Sequence, residues 1–169
     1  MDLTAKDLTP KRSSESATDM TQVVLPNDAN PLGFMLGGTV MHLIDIAGAM
    51  AAHRHARERV VTAAVDGLQF LHSIKIGDII ILKAHVTATF NTSLEVQVDV
   101  FSEEVLTGVR RMTTHAYLTF VAVSKEGTPV PVPPLILETD VERRKAEEAT
   151  VRRQARLEAK RKLTAVPTA

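Results

Sequence analysis

Asp45 is the only acidic residue between Asp28 and Glu58, and it falls within the most apolar stretch of the chain, residues 31–52. A carboxylate in such surroundings is costly unless something pairs with it or uses it, and the chemical use would be general-base or nucleophilic attack. A structural role is the alternative, with the Asp held by His42 one turn earlier or by backbone donors of a neighbouring chain. Gly37-Gly38 stands where a loop enters that apolar stretch. Bare N–H groups at a helix N-terminus can polarise a carbonyl oxygen, although two glycines equally permit a tight turn or close helix packing. The amide of Asn30, between Ala29 and Pro31, has the chemistry to hold a water or a substrate carbonyl; an Asx-turn or a helix cap is its competing role.

Other chemistries find less support. The chain has no cysteine, which removes disulfides, zinc–thiolate sites and cysteine nucleophiles. His53 and His55 are two apart, so on a helix they diverge and cannot form an i, i+4 metal pair; no metal is expected. His72, His85 and His115 fall on strands or strand ends, where facing solvent or capping is commoner than ligation. The sequence contains neither a G-x-S-x-G elbow nor a G-x-G-x-x-G or P-loop pattern.

These candidates need elements to position them. Thr21–Leu25 reads as a short strand, and 26–31, with two prolines and three Asx residues, as a loop. From Gly38 to about Arg54 the chain lacks proline and is apolar nearly all round, which predicts a helix enclosed on most sides. The period then changes to two. Val61–Phe70, Ile80–Phe90, Leu94–Val100 and Arg110–Val123 alternate apolar and polar residues, as half-buried antiparallel strands do. Asn91-Thr92-Ser93 supplies a hairpin connection. Pro129, Pro131, Pro133 and Pro134 form an extended arm that donates few ladder hydrogen bonds. One helix too apolar for water and a sheet with one apolar face combine economically when the sheet curls round the helix, an α+β arrangement known as the hotdog fold.

The 169 residues, 44% apolar and 24% charged, suit one globular unit. The organisation expected is a flexible N-terminal segment over 1–18, one domain over 19–136 and a charged helical tail over 137–169. The formal charge of zero is unevenly spread: residues 142–162 hold nine basic and four acidic side chains, leaving a body of −5 under a tail of +5. The interleaved Glu147, Glu148 and Glu158 predict a solvated tail helix with i, i+4 pairing, and its lack of aromatics speaks against nucleic-acid binding. His42, Asp45 and four glycines make 31–52 unsuited to crossing a membrane. The polar start, without a signal-peptide pattern, and the missing cysteines lead to an expectation of the cytoplasm.

Asp28-Ala29-Asn30, the run from Gly37 to Gly48, the run from Val61 to Asp66 and Pro131-Val132-Pro133-Pro134 together resemble the cytosolic, brain-type acyl-CoA thioester hydrolases of the hotdog thioesterase superfamily, over about Thr21 to Lys145. The resemblance implies hydrolysis of fatty acyl-CoA to free fatty acid and CoA, with no cofactor beyond the CoA of the substrate itself. It implies a site between two hotdog units, Asn30 from one and Asp45 from the other, with N–H groups near Gly38 polarising the thioester carbonyl. A homodimer follows, and three such dimers as a hexamer. For substrate binding it points to Gly37, Met41, Thr62, Val65, Asn91 and Ser93, with a basic side chain such as Arg54 or Arg110 near the CoA phosphates and an acyl channel by Met41, Ile44 and Met50. A non-catalytic acyl-CoA-binding regulator is the alternative. A dehydratase, which would use a histidine such as His42, is a third.

Overall fold

The computed structural model describes residues 7–164; the expectations for 1–6 and 165–169 lie outside the described residues. In chain order the elements are β1 (Lys11–Arg12), β2 (Thr18–Val23), α1 (Gly37–Ala56), β3 (Arg59–Phe70), β4 (Ile79–Thr89), β5 (Ser93–Glu103), β6 (Arg110–Val123), β7 (Leu135–Ile136) and α2 (Asp140–Thr164), with short 3-10 turns at Ser13–Ser16 and Pro26–Asp28. β2 to β6 form one antiparallel sheet in the order β2-β4-β5-β6-β3.

The period-two pattern does what the pleat requires. Ile80, Leu82 and Val86 of β4, Leu94, Val96, Val98 and Val100 of β5, and Leu118, Phe120 and Ala122 of β6 all point to one face and are fully buried. Val40, Leu43, Ile44, Ala47 and Ala51 of α1 pack against them in one core. Small residues let the helix sit close: a Cβ added at Gly48 would lie 3.1 Å from the Phe120 ring. The sheet thus curls round α1, as expected of a hotdog fold. The helix is nevertheless open along one stripe, where Met41, His42 and Ile46 are exposed and Asp45 is half-buried. Its all-round apolarity is therefore satisfied by this chain on only part of its circumference.

The structure corrects the two terminal expectations. Residues 11–18 are built into the fold, because Ser13 and Ser16 are buried and their hydroxyls take up the backbone of β4: Ser13 Oγ donates to Val86 O at 2.7 Å, and Val86 N donates to Ser16 Oγ at 2.9 Å. β1 pairs in parallel with β7 at the end of the proline arm. The arm accepts where it cannot donate: Lys11 N donates to Pro134 O, and His55 Nε2–H to Pro133 O, at 2.9 and 2.8 Å.

α2 is not simply a solvated helix either. Its positions 145, 149, 152 and 156 form one stripe that lies on the outer face of the sheet. Ala149 is fully buried. Arg152 binds both carboxylate oxygens of Glu95 (3.0 and 2.8 Å) and stands 3.6 Å above the centre of the Tyr117 ring, and Arg156 pairs with Asp66. The period of strand polarity had marked Glu95 as outward-facing; only the docking of α2 makes it a buried acid.

Candidate functional site

α1 begins at Gly37 after Leu36, whose extended backbone makes it the N-cap. The first intrahelical bond runs from Val40 N to Leu36 O at 3.1 Å, so the N–H groups of Gly37, Gly38 and Thr39 have no helical acceptor. The two glycines differ in what surrounds them. A Cβ at Gly37 would meet the Phe70 ring at 3.2 Å, whereas at Gly38 nothing lies within 4 Å. Packing within the chain accounts for Gly37 and leaves Gly38 bare and open, as a carbonyl-binding N–H requires.

Asn30 sits beside this helix end. Its Oδ1 accepts from Leu32 N at 3.0 Å and Phe34 N at 3.2 Å, and its own N–H donates to Phe34 O at 2.8 Å. The Asx-turn reading is therefore correct for the oxygen, while the amide nitrogen bonds to no described residue. Asn30, Gly37 and Val40 line one side of a cleft of about 390 Å³, with Phe70, His72 and Ser73 among the opposite wall. That volume is within the range of small-molecule sites.

Asp45 lies seven residues beyond Gly38, about 10 Å along the helix at 1.5 Å per residue. Its Oδ1 accepts a 2.6 Å hydrogen bond from the Thr62 hydroxyl on β3, and no salt link ties it down among the described residues. His42 is not its partner. Thr62, expected to touch substrate, is the donor of this bond to Asp45; the spacing of residues on separate elements gave no sign of this contact. One chain thus holds two groups of candidate residues apart: Asn30 with the free N–H groups at the mouth of α1, and Asp45 with Thr62 two turns further on. A reacting carbonyl held at the first is out of reach of the second on the same helix.

The remaining candidates scatter. Met41 and Val65 are exposed on the open stripe of α1 and on β3, the same side as Asp45. Ile44 is buried in the core, whereas Met41 is exposed. Met50 is half-buried. Asn91 lies in the turn before β5 and Ser93 opens that strand, with Phe90 N donating to Ser93 O at 2.8 Å. Arg54 and Arg110 do not serve that turn. Arg54 donates to Ala17 O at the start of β2. Arg110 pairs with Glu103 at the far end of the β5–β6 ladder, ten residues from Ser93 and roughly 30 Å away at the rise of an extended strand. The described residues contain no cluster of three or more potential metal ligands and no helix long and apolar enough to cross a membrane.

Comparison with known proteins places this geometry. The thioesterase superfamily profile matches residues 32–109. An acyl-CoA thioester hydrolase of Bacillus subtilis is 39% identical over 128 residues, 76% of this chain and 74% of its own. The human cytosolic acyl coenzyme A thioester hydrolase is 34% identical over 160 residues; the match takes in 94% of this chain but only 42% of the human protein. Among solved structures, a hexameric acyl-CoA thioesterase superposes with a TM-score of 0.85 at 40% identity, over 94% of this chain and 99% of that one. The Staphylococcus aureus acyl-CoA hydrolase, in an alanine variant bound to coenzyme A, gives 0.87 at 36% identity over 96% and 100%. Structures of that enzyme include single-alanine variants of an asparagine, an aspartate and a threonine, separated in that order by 15 and 17 residues. Asn30, Asp45 and Thr62 follow one another at the same two separations. In sequence and in fold alike, this chain belongs to the thioesterase superfamily, among the hotdog acyl-CoA thioester hydrolases.

Proposed function

We infer that the protein hydrolyses fatty acyl-CoA thioesters, releasing the free fatty acid and CoA, at a site completed by two copies of the chain. The observation that carries this reading is the division of the site into two half-sites that one helix holds apart. The edge strand β3 has one side unpaired, and beside it Val61, Val65 and Phe70 of β3 and Met41 and Ile46 of α1 are all exposed. An edge of that kind is a template for a second strand, and an apolar patch around it favours burial. Pairing two copies there by a two-fold axis would bring the α1 mouth of one toward Asp45 of the other.

In the proposed reaction the N–H groups at Gly38 polarise the thioester carbonyl, and Asn30 orients the carbonyl or the water. Asp45, steered by Thr62, either takes a proton from that water as it adds to the carbonyl and passes it to the departing sulfur, or attacks the carbonyl itself to form an acyl–aspartyl anhydride that water then hydrolyses, the thiolate taking its proton from solvent; in both cases the C–S bond breaks and CoA leaves as its thiol. The chain's own residues supply this chemistry, and CoA enters only as part of the substrate. The hexameric relative and a hexameric thioesterase from Yersinia pestis support a trimer of dimers. The likeness to mammalian cytosolic enzymes supports the brain-type branch and a cytoplasmic location. Purely regulatory binding would not need the free N–H groups and the acid together.

Complementation tests the shared site. Asn30→Ala and Asp45→Ala chains, each inactive alone, are mixed under conditions that exchange subunits, and thiol release from acyl-CoA is followed. Random pairing gives mixed dimers with one intact site of two, so about one quarter of wild-type activity should return. No recovery despite demonstrated exchange would refute a site between chains.

A further inference from the structure

Two lysines among the described residues are half-buried, Lys11 and Lys145. Lys11 Nζ donates to the backbone carbonyl of His55, which cannot take a proton from it. Lys145, in the second turn of α2, faces a different acceptor: its Nζ lies 3.3 Å from Nε2 of His85 on β4. An ammonium can only donate, so this contact requires a neutral His85 with the Nε2 lone pair directed at the lysine nitrogen. Burial, assisted by Lys145, holds the His85 pKa below its ordinary 6.5 and keeps that lone pair available at neutral pH. Lys145 itself has no ion pair among the described residues. Glu142, earlier on the same helix, turns Oε2 to the N–H groups of Glu138 and Thr139 instead. The pair opens on a cavity of about 220 Å³ whose wall includes Leu135 and Val141. The two hydroxyls of that wall are committed elsewhere, Ser13 to Val86 O and Thr87 to Glu95. An amine held against a base at a partly apolar cavity is the arrangement of a nucleophilic lysine.

We propose that Lys145 is an acylation site, which takes the acyl group of an acyl thioester onto Nζ as an amide. The source of the acyl group rests on the thioesterase reading above; the Lys145–His85 geometry does not. The lysine first gives one proton to solvent. Its nitrogen then adds to the thioester carbonyl, and the adduct, now positively charged at nitrogen, gives a second proton to His85 Nε2. The C–S bond breaks, His85 returns that proton to the departing sulfur, and an amide and a free thiol remain. Leu135 and Val141 supply an apolar wall for a short acyl chain. The modification removes one positive charge from the +5 tail. It is separate from the hydrolytic site: His85 alternates with the core-facing Ala84 and Val86, and so lies on the face of the sheet turned away from α1 and Asp45.

Peptide mass mapping of the full chain after incubation with butyryl-CoA tests it, in the wild type and in Asp45→Ala, where the thioester persists. Lys75 and Lys125, both exposed, serve as internal standards of an unassisted amine. Lys145 should acquire the butyryl group about tenfold or more faster than either, although it is the less accessible, because a positioned base contributes roughly 100-fold or more. His85→Ala should bring Lys145 down to the rate of the two exposed lysines and leave theirs unchanged. Free imidazole should then restore Lys145 more than it accelerates Lys125, a response that a purely structural role for His85 would not give. Equal rates at the three lysines of the unmutated chain overturn the proposal whatever the variant does to folding, and so does a Lys145 rate that His85→Ala leaves intact. If Lys145 is butyrylated preferentially while no butyryl-CoA is hydrolysed, the thioesterase reading fails and the acylation site stands. Hydrolysis without preferential modification of Lys145, in both chains, overturns the acylation site alone.

Discussion

At the scale of single residues, Asp45 and Thr62 carry the most specific expectation. Asp45 accepts one short hydrogen bond and otherwise faces the open stripe of α1. Removing it should therefore leave the core undisturbed while abolishing its part in turnover. Asp45→Ala is expected to lower kcat by about 100 to 10,000-fold, the usual contribution of a general base, with thermal unfolding nearly unchanged. Thiol-release kinetics and a melting curve check both halves. A single turnover in ¹⁸O-labelled water then addresses the roles: water activation puts label only in the released acid, whereas label in the Asp45 carboxylate identifies an acyl–aspartyl anhydride opened at the aspartyl carbonyl. The sequence marked the position through isolation of an acid among apolar residues. It could not show that Thr62 would be the partner in place of His42, because that contact depends on where β3 crosses α1.

At the scale of elements, α2 is bound by charge more than by apolar area. Glu95 is 1% exposed and its compensation is the Arg152 guanidinium together with the Thr87 hydroxyl at 2.9 Å. Arg152→Ala strands that carboxylate, and the expected loss is about 3–5 kcal/mol of unfolding free energy, measured by urea denaturation. Replacing both partners with leucine should restore most of it, since the cost lies in the uncompensated charge.

The C-terminal end of α1 makes a second prediction. His55 is buried against the proline arm, and its Nδ1 has no partner. Burial holds its pKa below the ordinary 6.5, outweighing the bond to Pro133; burial likewise lowers His85, assisted by the neighbouring Lys145. Both imidazoles are neutral in the fold above 6.5 and impose no penalty there. As pH falls below 6.5 the unfolded chain takes up these protons more readily than the folded one, so stability is progressively lost until the folded pKa values are passed. Urea midpoints at pH 7.5 and 5.5 should show the fall, and His55→Gln should shrink the difference between them.

At the scale of the whole molecule, the open stripe of α1 and the edge β3 are the features one chain leaves incomplete. A lysine on an edge strand discourages pairing, so Val61→Lys, at an exposed position of β3, is expected to yield a smaller species by light scattering and to lose thioesterase activity with it. Retained activity in a monomer would contradict the shared site.

The strands, the central helix and its entry loop were legible because side-chain period and turn chemistry are local properties. Ile80 to Val86 and Leu94 to Val100 alternate regardless of what they pack against. The Gly37-Gly38 junction and the solitary Asp45 could be read in the same way, as departures from a local pattern. What the tertiary structure alone decided concerns distance between elements. It placed Arg110 at the opposite end of a ladder from Ser93, drew residues 11–18 into the fold, and laid a tail that looked solvated across the sheet. Each depends on the free energy of burying particular groups against one another, such as Glu95 beneath Arg152, and pairwise burial has no signature in the spacing along a single strand or helix.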